Sequence, residues 1–135
     1  MSRQDGRREA VGDAMQAQLA HERLDAYRFS RKFAIEVFRT TAAFPAEERF
    51  GLASQIRRAA VSIPANIAEG AARRSKKEFV QFLSMARGSS SELRVLLEIA
   101  KETGHLDDDS FRRQEASVDR ISSMLSGLIR RNRAR

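Results

Sequence analysis

Six basic side chains stand within one short stretch, Arg57, Arg58, Arg73, Arg74, Lys76 and Lys77, against a single acid, Glu69. A second basic run closes the chain: Arg130, Arg131, Arg133 and Arg135, with no acid among them. Guanidinium and ammonium groups at this density suit phosphates, and a polyanion that they neutralise releases its counterions. The whole chain leans the same way. It carries 25 Lys and Arg against 18 Asp and Glu, a formal charge of +7, and a pI near 10.9. A charge run is by default a solvated face. This one brackets a corner between two expected helices, where several charges can converge. Tyr27 is the only tyrosine and tryptophan is absent. Stacking on single-stranded bases is therefore not expected, and contacts should go to phosphate. The six residues from Arg57 to Lys77 are the expected nucleic-acid-binding set, with RNA and DNA both open.

Other chemistries find little material. A di-metal site in a helical bundle needs Glu-x-x-His pairs on facing helices, and the chain holds only His21 and His105, both expected to face solvent. The same scarcity argues against a His-based acid or nucleophile. There is no cysteine, hence neither a disulfide nor a thiolate metal site. No Gly-rich phosphate loop or dinucleotide fingerprint is present. Asn66 and Glu69 lie one turn apart, yet a lone carboxylate is a poor acid/base site. Glu69 is expected to serve the structure, by hydrogen bonding to the disrupted backbone or by an ion pair with Arg57, Arg58 or Arg73. Gly88-Ser89-Ser90-Ser91 reads as a place of close helix approach. No catalytic residue, cofactor or metal is expected, and the chain reads as a non-enzyme.

These residues need a scaffold, and the apolar pattern supplies one of a single type. The length of 135 residues suits one domain. Residues 1–20 are polar and weakly patterned, and read as a mobile arm with helix near Ala14 to Ala20. A first helix runs from about Leu24 to Ala42 on a stripe of Phe29, Phe33, Val37 and Thr40, with Ala26, Ala34 and Phe38 beside it. Phe44-Pro45 ends it, and Pro45 suits the first turn of the next helix, with Glu47 and Glu48 near its positive end. The second helix turns Leu52, Ile56, Ala59, Ala60, Ile63 and Ile67 inward. Pro64 interrupts it and should kink it, with Ser62 or Asn66 serving the freed backbone groups; Gly70 reads as its stop. Ser75-Lys76-Lys77-Glu78 is a capping box opening a third helix. Asp107 or Asp108 caps a fourth, whose core positions are Phe111, Val118, Ile121, Leu125 and Leu128. The expected fold is all-α, an antiparallel up-down four-helix bundle over 21–131, followed by a basic tail, 132–135. No stretch is apolar enough for a membrane span and the N-terminus lacks a signal-peptide core, so a cytoplasmic location is expected.

Several segments together resemble a known family. They are Phe44-Pro45, Phe50-Gly51-Leu52, Gln55 to Gly70, Arg73-Arg74-Ser75-Lys76-Lys77-Glu78-Phe79 and Ala86-Arg87-Gly88-Ser89. The chain resembles the bacterial four-helix-bundle proteins encoded in intervening sequences of large-subunit ribosomal RNA genes, to which the accessory variability determinant of retroelements is related. The resemblance implies a four-helix bundle, assembly as a homopentamer, nucleic-acid binding, and a reverse transcriptase partner. Two departures stand out: Ala71-Ala72 replaces an aromatic followed by glycine, and Ser90 replaces a leucine. The alternative to a phosphate binder is a protein-binding adaptor whose interface uses Phe50, Val61, Val80 and Met85.

Overall fold

The computed structural model describes residues 3–134; Met1, Ser2 and Arg135, the ends of the expected arm and tail, lie outside the described residues. Four α-helices and one short 3-10 turn account for the fold, with no strand among the described residues. The helices are α1 (Arg3–Thr41), α2 (Leu52–Ala71), α3 (Lys76–Glu102) and α4 (Asp108–Arg133), and the 3-10 turn spans Ala46–Glu48. Each helix packs on its neighbours in sequence and α4 closes back on α1, while among the described residues no diagonal pair of helices brings its backbones into close approach. With such short connections this is an antiparallel four-helix bundle. One end of it gathers the α2–α3 corner and the last turn of α4; the other gathers the α1–α2 and α3–α4 loops.

The core follows the helical stripes. Val37, Ile56, Ala60, Ile63, Leu83, Leu93, Val118 and Leu125 are fully buried, each large aliphatic contributing about 1.5–3 kcal/mol over its exposed state. Phe38 departs from the expected stripe at 44% exposed, and Thr41 is buried instead. At 100° per residue Phe38 swings onto the α1–α2 shoulder, where the Arg57 guanidinium covers its ring. Val80, expected on the surface, is 8% exposed. Phe50, Val61 and Met85 are exposed.

Local signals explain the helix ends. Ser75 caps α3, its Oγ accepting from Glu78 N at 3.1 Å. Asp107 caps α4, its carboxylate accepting from Ser110 N at 2.7 Å. That backbone donor is the first cause holding the Asp107 carboxyl below its usual range. Pro45 opens the 3-10 turn rather than α2. Glu48 then reaches forward, Oε2 accepting from Leu52 N at 3.2 Å, and serves the start of α2. α2 passes through Pro64, which is buried. The side chains expected to answer its missing donor bind neighbouring carbonyls: Ser62 Oγ donates to Ala59 O and Asn66 Nδ2 to Ser62 O, each at 2.8 Å. Neither reaches Ala60 O.

Four further differences from the sequence reading have physical reasons. The first helix starts at Arg3 instead of near Leu24, because Arg, Gln, Glu, Ala and Met sustain a helix without an apolar stripe to announce it. α4 runs through Asn132 and Arg133, placing both in the helix instead of a tail; Asn132 is buried, its Nδ2 donating to Leu128 O at 2.8 Å. Gly70 lies inside α2, not at its stop, and a Cβ there would sit 2.6 Å from Phe82 Cβ. Its role is close approach of α2 and α3. Gly88, by contrast, is exposed, and a Cβ there would meet nothing within 4 Å. The close contact of that segment is Ser90, fully buried, whose Oγ donates to Arg87 O at 2.7 Å and meets Ser122 Oγ of α4 at 2.9 Å. The serine at position 90 is thus matched by a serine across the interface. His105 also turns inward. Its ring lies beside Phe44, Nδ1 is 2.7 Å from Thr103 Oγ1, and Nε2 is 3.9 Å from Glu48 Oε1. His21 stays exposed beside Asp25.

Candidate nucleic-acid interface

The six expected basic residues do not form one surface. Arg57 and Arg58 sit in the first half of α2, while Arg73, Arg74, Lys76 and Lys77 frame the α2–α3 corner. From Arg58 to the end of α2 is about 20 Å along the axis. Arg57 is also committed within the bundle. Its Nε donates to Thr41 Oγ1 at 2.7 Å, Nη2 to Phe38 O at 3.3 Å, and its guanidinium lies 4.9 Å from the Phe38 ring centroid. This is a tie between α1 and α2. Arg58 is exposed, on a groove between α2 and α3 shared with Gln55, Ser62, Ser89 and Glu92.

The corner is where charges gather. Arg73 is held by Glu69 at 2.8 Å and lies 4.9 Å from the Phe82 ring centroid, one of the three pairings expected for Glu69. Arg74, Lys76 and Lys77 have no carboxylate within ion-pair distance among the described residues. Arg74 and Lys77 are exposed, and Lys76 is partly so. An open cleft of about 230 Å³ lies at this corner, with Arg23 of α1, Arg73, Arg74 and Lys76 on its walls and Asn132 of α4 at its edge. A second, of about 470 Å³, adjoins it, lined by Lys76, Lys77, Val80, Gln81, Asn132 and Arg133. Asn132 and Lys76 belong to both.

The up-down topology therefore brings together the two basic runs that are far apart in sequence. Arg133 joins the corner from the end of α4, and Arg23 joins it from α1. Arg131 does not, because its Nε is paired with Glu22 Oε2 at 2.7 Å. Arg23 and Arg133 were not among the expected site residues. The signal for Arg133 was present: in an up-down bundle the end of the fourth helix must lie at the same end as the second corner. The signal for Arg23 was not, since it is one of many scattered arginines. Of the nearby aromatic rings, Phe79 lines the first cleft and is partly buried. Phe79 and Phe82 pack over Gly70, and Phe82 also carries Arg73.

A family model described as 23S rRNA-intervening sequence protein matches residues 22–127. The chain belongs to this family. The match takes in Arg23 and the whole Arg57–Lys77 stretch, and leaves out the first five turns of α1 and the arginines from Arg130 onward. The family fold is also seen in a solved structure from Bacteroides thetaiotaomicron, a protein with unknown function from the S23 ribosomal protein family. That structure superposes with a TM-score of 0.75 at 22% identity, covering 81% of this chain and 98% of that one. At that identity the likeness bears on the fold. No curated protein matches the chain. No described helix is long and apolar enough to cross a membrane.

Proposed function

We propose that this intervening-sequence family member is a non-enzymatic, oligomeric bundle that binds structured RNA or DNA through phosphate contacts at the α2–α3 corner. The observation that carries the reading is the convergence of Arg23, Arg74, Lys76, Lys77 and Arg133 on adjoining clefts with no carboxylate in ion-pair reach of them among the described residues. Uncompensated cations on neighbouring walls attract a polyanion more than the same charges spread over a surface. The start of α3 at this corner adds its positive end. With Phe82 under Arg73 and Phe79 the one ring on the cleft wall, the ligand is read chiefly by its backbone. The resemblance adds a homopentamer and a reverse transcriptase partner to this reading, and a cytoplasmic setting suits both.

The test is fluorescence anisotropy of a structured RNA and a DNA duplex titrated across a salt series, with subunit number fixed by light scattering. Charge reversal at Arg73, Arg74, Lys76 and Lys77 should abolish binding while the far-ultraviolet circular dichroism stays helical. Affinity that survives the reversal rejects the corner as the surface. No binding by the native protein even at low salt rejects nucleic acid as the ligand.

A further inference from the structure

Among the described residues, Asn132 is the one buried polar side chain on the walls of the basic clefts. It is 7% exposed, stands in the last turn of α4, and lines both clefts beside Lys76. Its Nδ2 donates to Leu128 O at 2.8 Å. A carbonyl oxygen only accepts, so this bond fixes which end of the amide is nitrogen and which is oxygen. No donor among the described residues is in hydrogen-bond reach of Oδ1. Every fully buried side-chain oxygen among those residues has a partner. Oδ1 is therefore open to solvent, and the clefts are the openings beside it.

An acceptor is out of place in a site for phosphate alone. Phosphodiester oxygens have no proton to donate, and the negative end of the amide dipole repels them. An acceptor covered by a ligand that cannot bond it costs affinity. Gln16 and Gln81 also line the clefts, but they are exposed and free to turn an N–H to the ligand. Asn132 cannot turn its oxygen away without giving up Leu128. The ligand that suits Lys76 and Asn132 together bears an anion and a donor side by side along its backbone. Ribose supplies that donor as the 2′-hydroxyl, next to its 3′-phosphate, and deoxyribose has none.

We propose that the α2–α3 corner takes RNA in preference to DNA, with Lys76 on a phosphate and Asn132 Oδ1 accepting from the adjoining 2′-hydroxyl. The inference rests on the phosphate-binding reading of the same corner and names its ligand. The cations supply affinity, and the acceptor supplies the choice of sugar. Position 132 lies beyond the family-matched residues 22–127, so the choosing contact is made by a part of this chain outside that match. One such hydrogen bond, made by RNA and left unmade by a ligand without the hydroxyl, is worth about tenfold in affinity.

Anisotropy titrations of the full chain with three duplexes of one sequence test it: RNA, RNA with 2′-fluoro on every sugar, and DNA. Fluorine keeps the A-form shape and the phosphates but donates no hydrogen bond. The native protein should bind RNA about tenfold tighter than 2′-fluoro RNA, and Asn132→Leu should make the two affinities equal. The comparison on native protein holds even if that variant frays the end of α4, which circular dichroism would show. Equal native affinities for RNA and 2′-fluoro RNA overturn the hydroxyl contact while leaving the phosphate-binding corner standing. DNA bound as tightly as RNA overturns the choice of RNA. A preference that Asn132→Leu leaves whole overturns the assignment to Asn132. RNA affinity that survives charge reversal of the corner overturns the corner itself, and this inference with it.

Discussion

Neutralising three corner cations by Arg74→Gln, Lys76→Gln and Lys77→Gln should change the salt dependence of binding in a calculable way. Five cations line the adjoining clefts without a carboxylate partner among the described residues: Arg23, Arg74, Lys76, Lys77 and Arg133. Arg73 is left out because Glu69 already neutralises it. If all five meet phosphates of a duplex, the slope of log affinity against log salt is about −4.5 per bundle, and affinity falls about 500-fold between about 50 and about 200 mM salt. With three contacts gone the slope flattens to about −1.8, and the same change of salt costs about 12-fold. Anisotropy titrations at four or five salt concentrations give both slopes. The control is Arg58→Gln, which removes an equal charge about 20 Å away along α2 and should leave the slope alone. A slope that drops as much for Arg58→Gln as for one corner residue would refute the division of the basic stretch into two places. A triple variant with the native slope would refute the corner itself.

Gly70→Ala should lower stability by about 1–3 kcal/mol, the usual range for overpacking, because its Cβ would collide with the base of Phe82 at 2.6 Å and not with a flexible tip; urea unfolding measures it, and a neutral result removes the close-approach role. Ser75→Ala should cost about 0.5–2 kcal/mol by removal of the α3 cap, read in the same assay. Asp107→Ala should destabilise at neutral pH and matter less in acid. The folded carboxyl titrates below its unfolded value, so its stabilisation is complete above about pH 4 and drains as pH falls through the folded value. Urea midpoints of native and variant proteins that fail to converge toward pH 3 would contradict that sign.

The fold was legible because its signals are local or periodic. Ser75 to Glu78 and Asp107 are fixed by backbone donors a turn away, and the inward positions of α2 from Ile56 to Ile67 by 3.6-residue spacing. What escaped the sequence depends on partners. Phe38 and Thr41 exchange places because Arg57, distant in sequence, claims the Phe38 ring and the Thr41 hydroxyl. Gly70 and Gly88 look alike as letters, and only the neighbouring helix separates a glycine under Phe82 from one facing water. His105 is partly buried because Phe44 lies across the loop from it. The candidate site was half legible for the same reason. Its charges could be listed from the sequence, but their division into a structural tie at Arg57 and a corner completed by Arg23 and Arg133 required the topology.

The contact at Gly70 has a bearing on recognition as well as on stability. Arg73 and Arg74 leave the end of α2 just after it, and Lys76 and Lys77 open α3 just before Phe79 and Phe82 close over it. The spacing between the two pairs of charges is therefore set from beneath, by how near one backbone lies to one aromatic side chain. Under the proposed function, a phosphate ladder laid across the corner would be measured against a ruler whose graduations are solvent-facing but whose length is decided in the dry interior. Variants that widen this seam would alter which helical pitch fits the surface without touching a single charge.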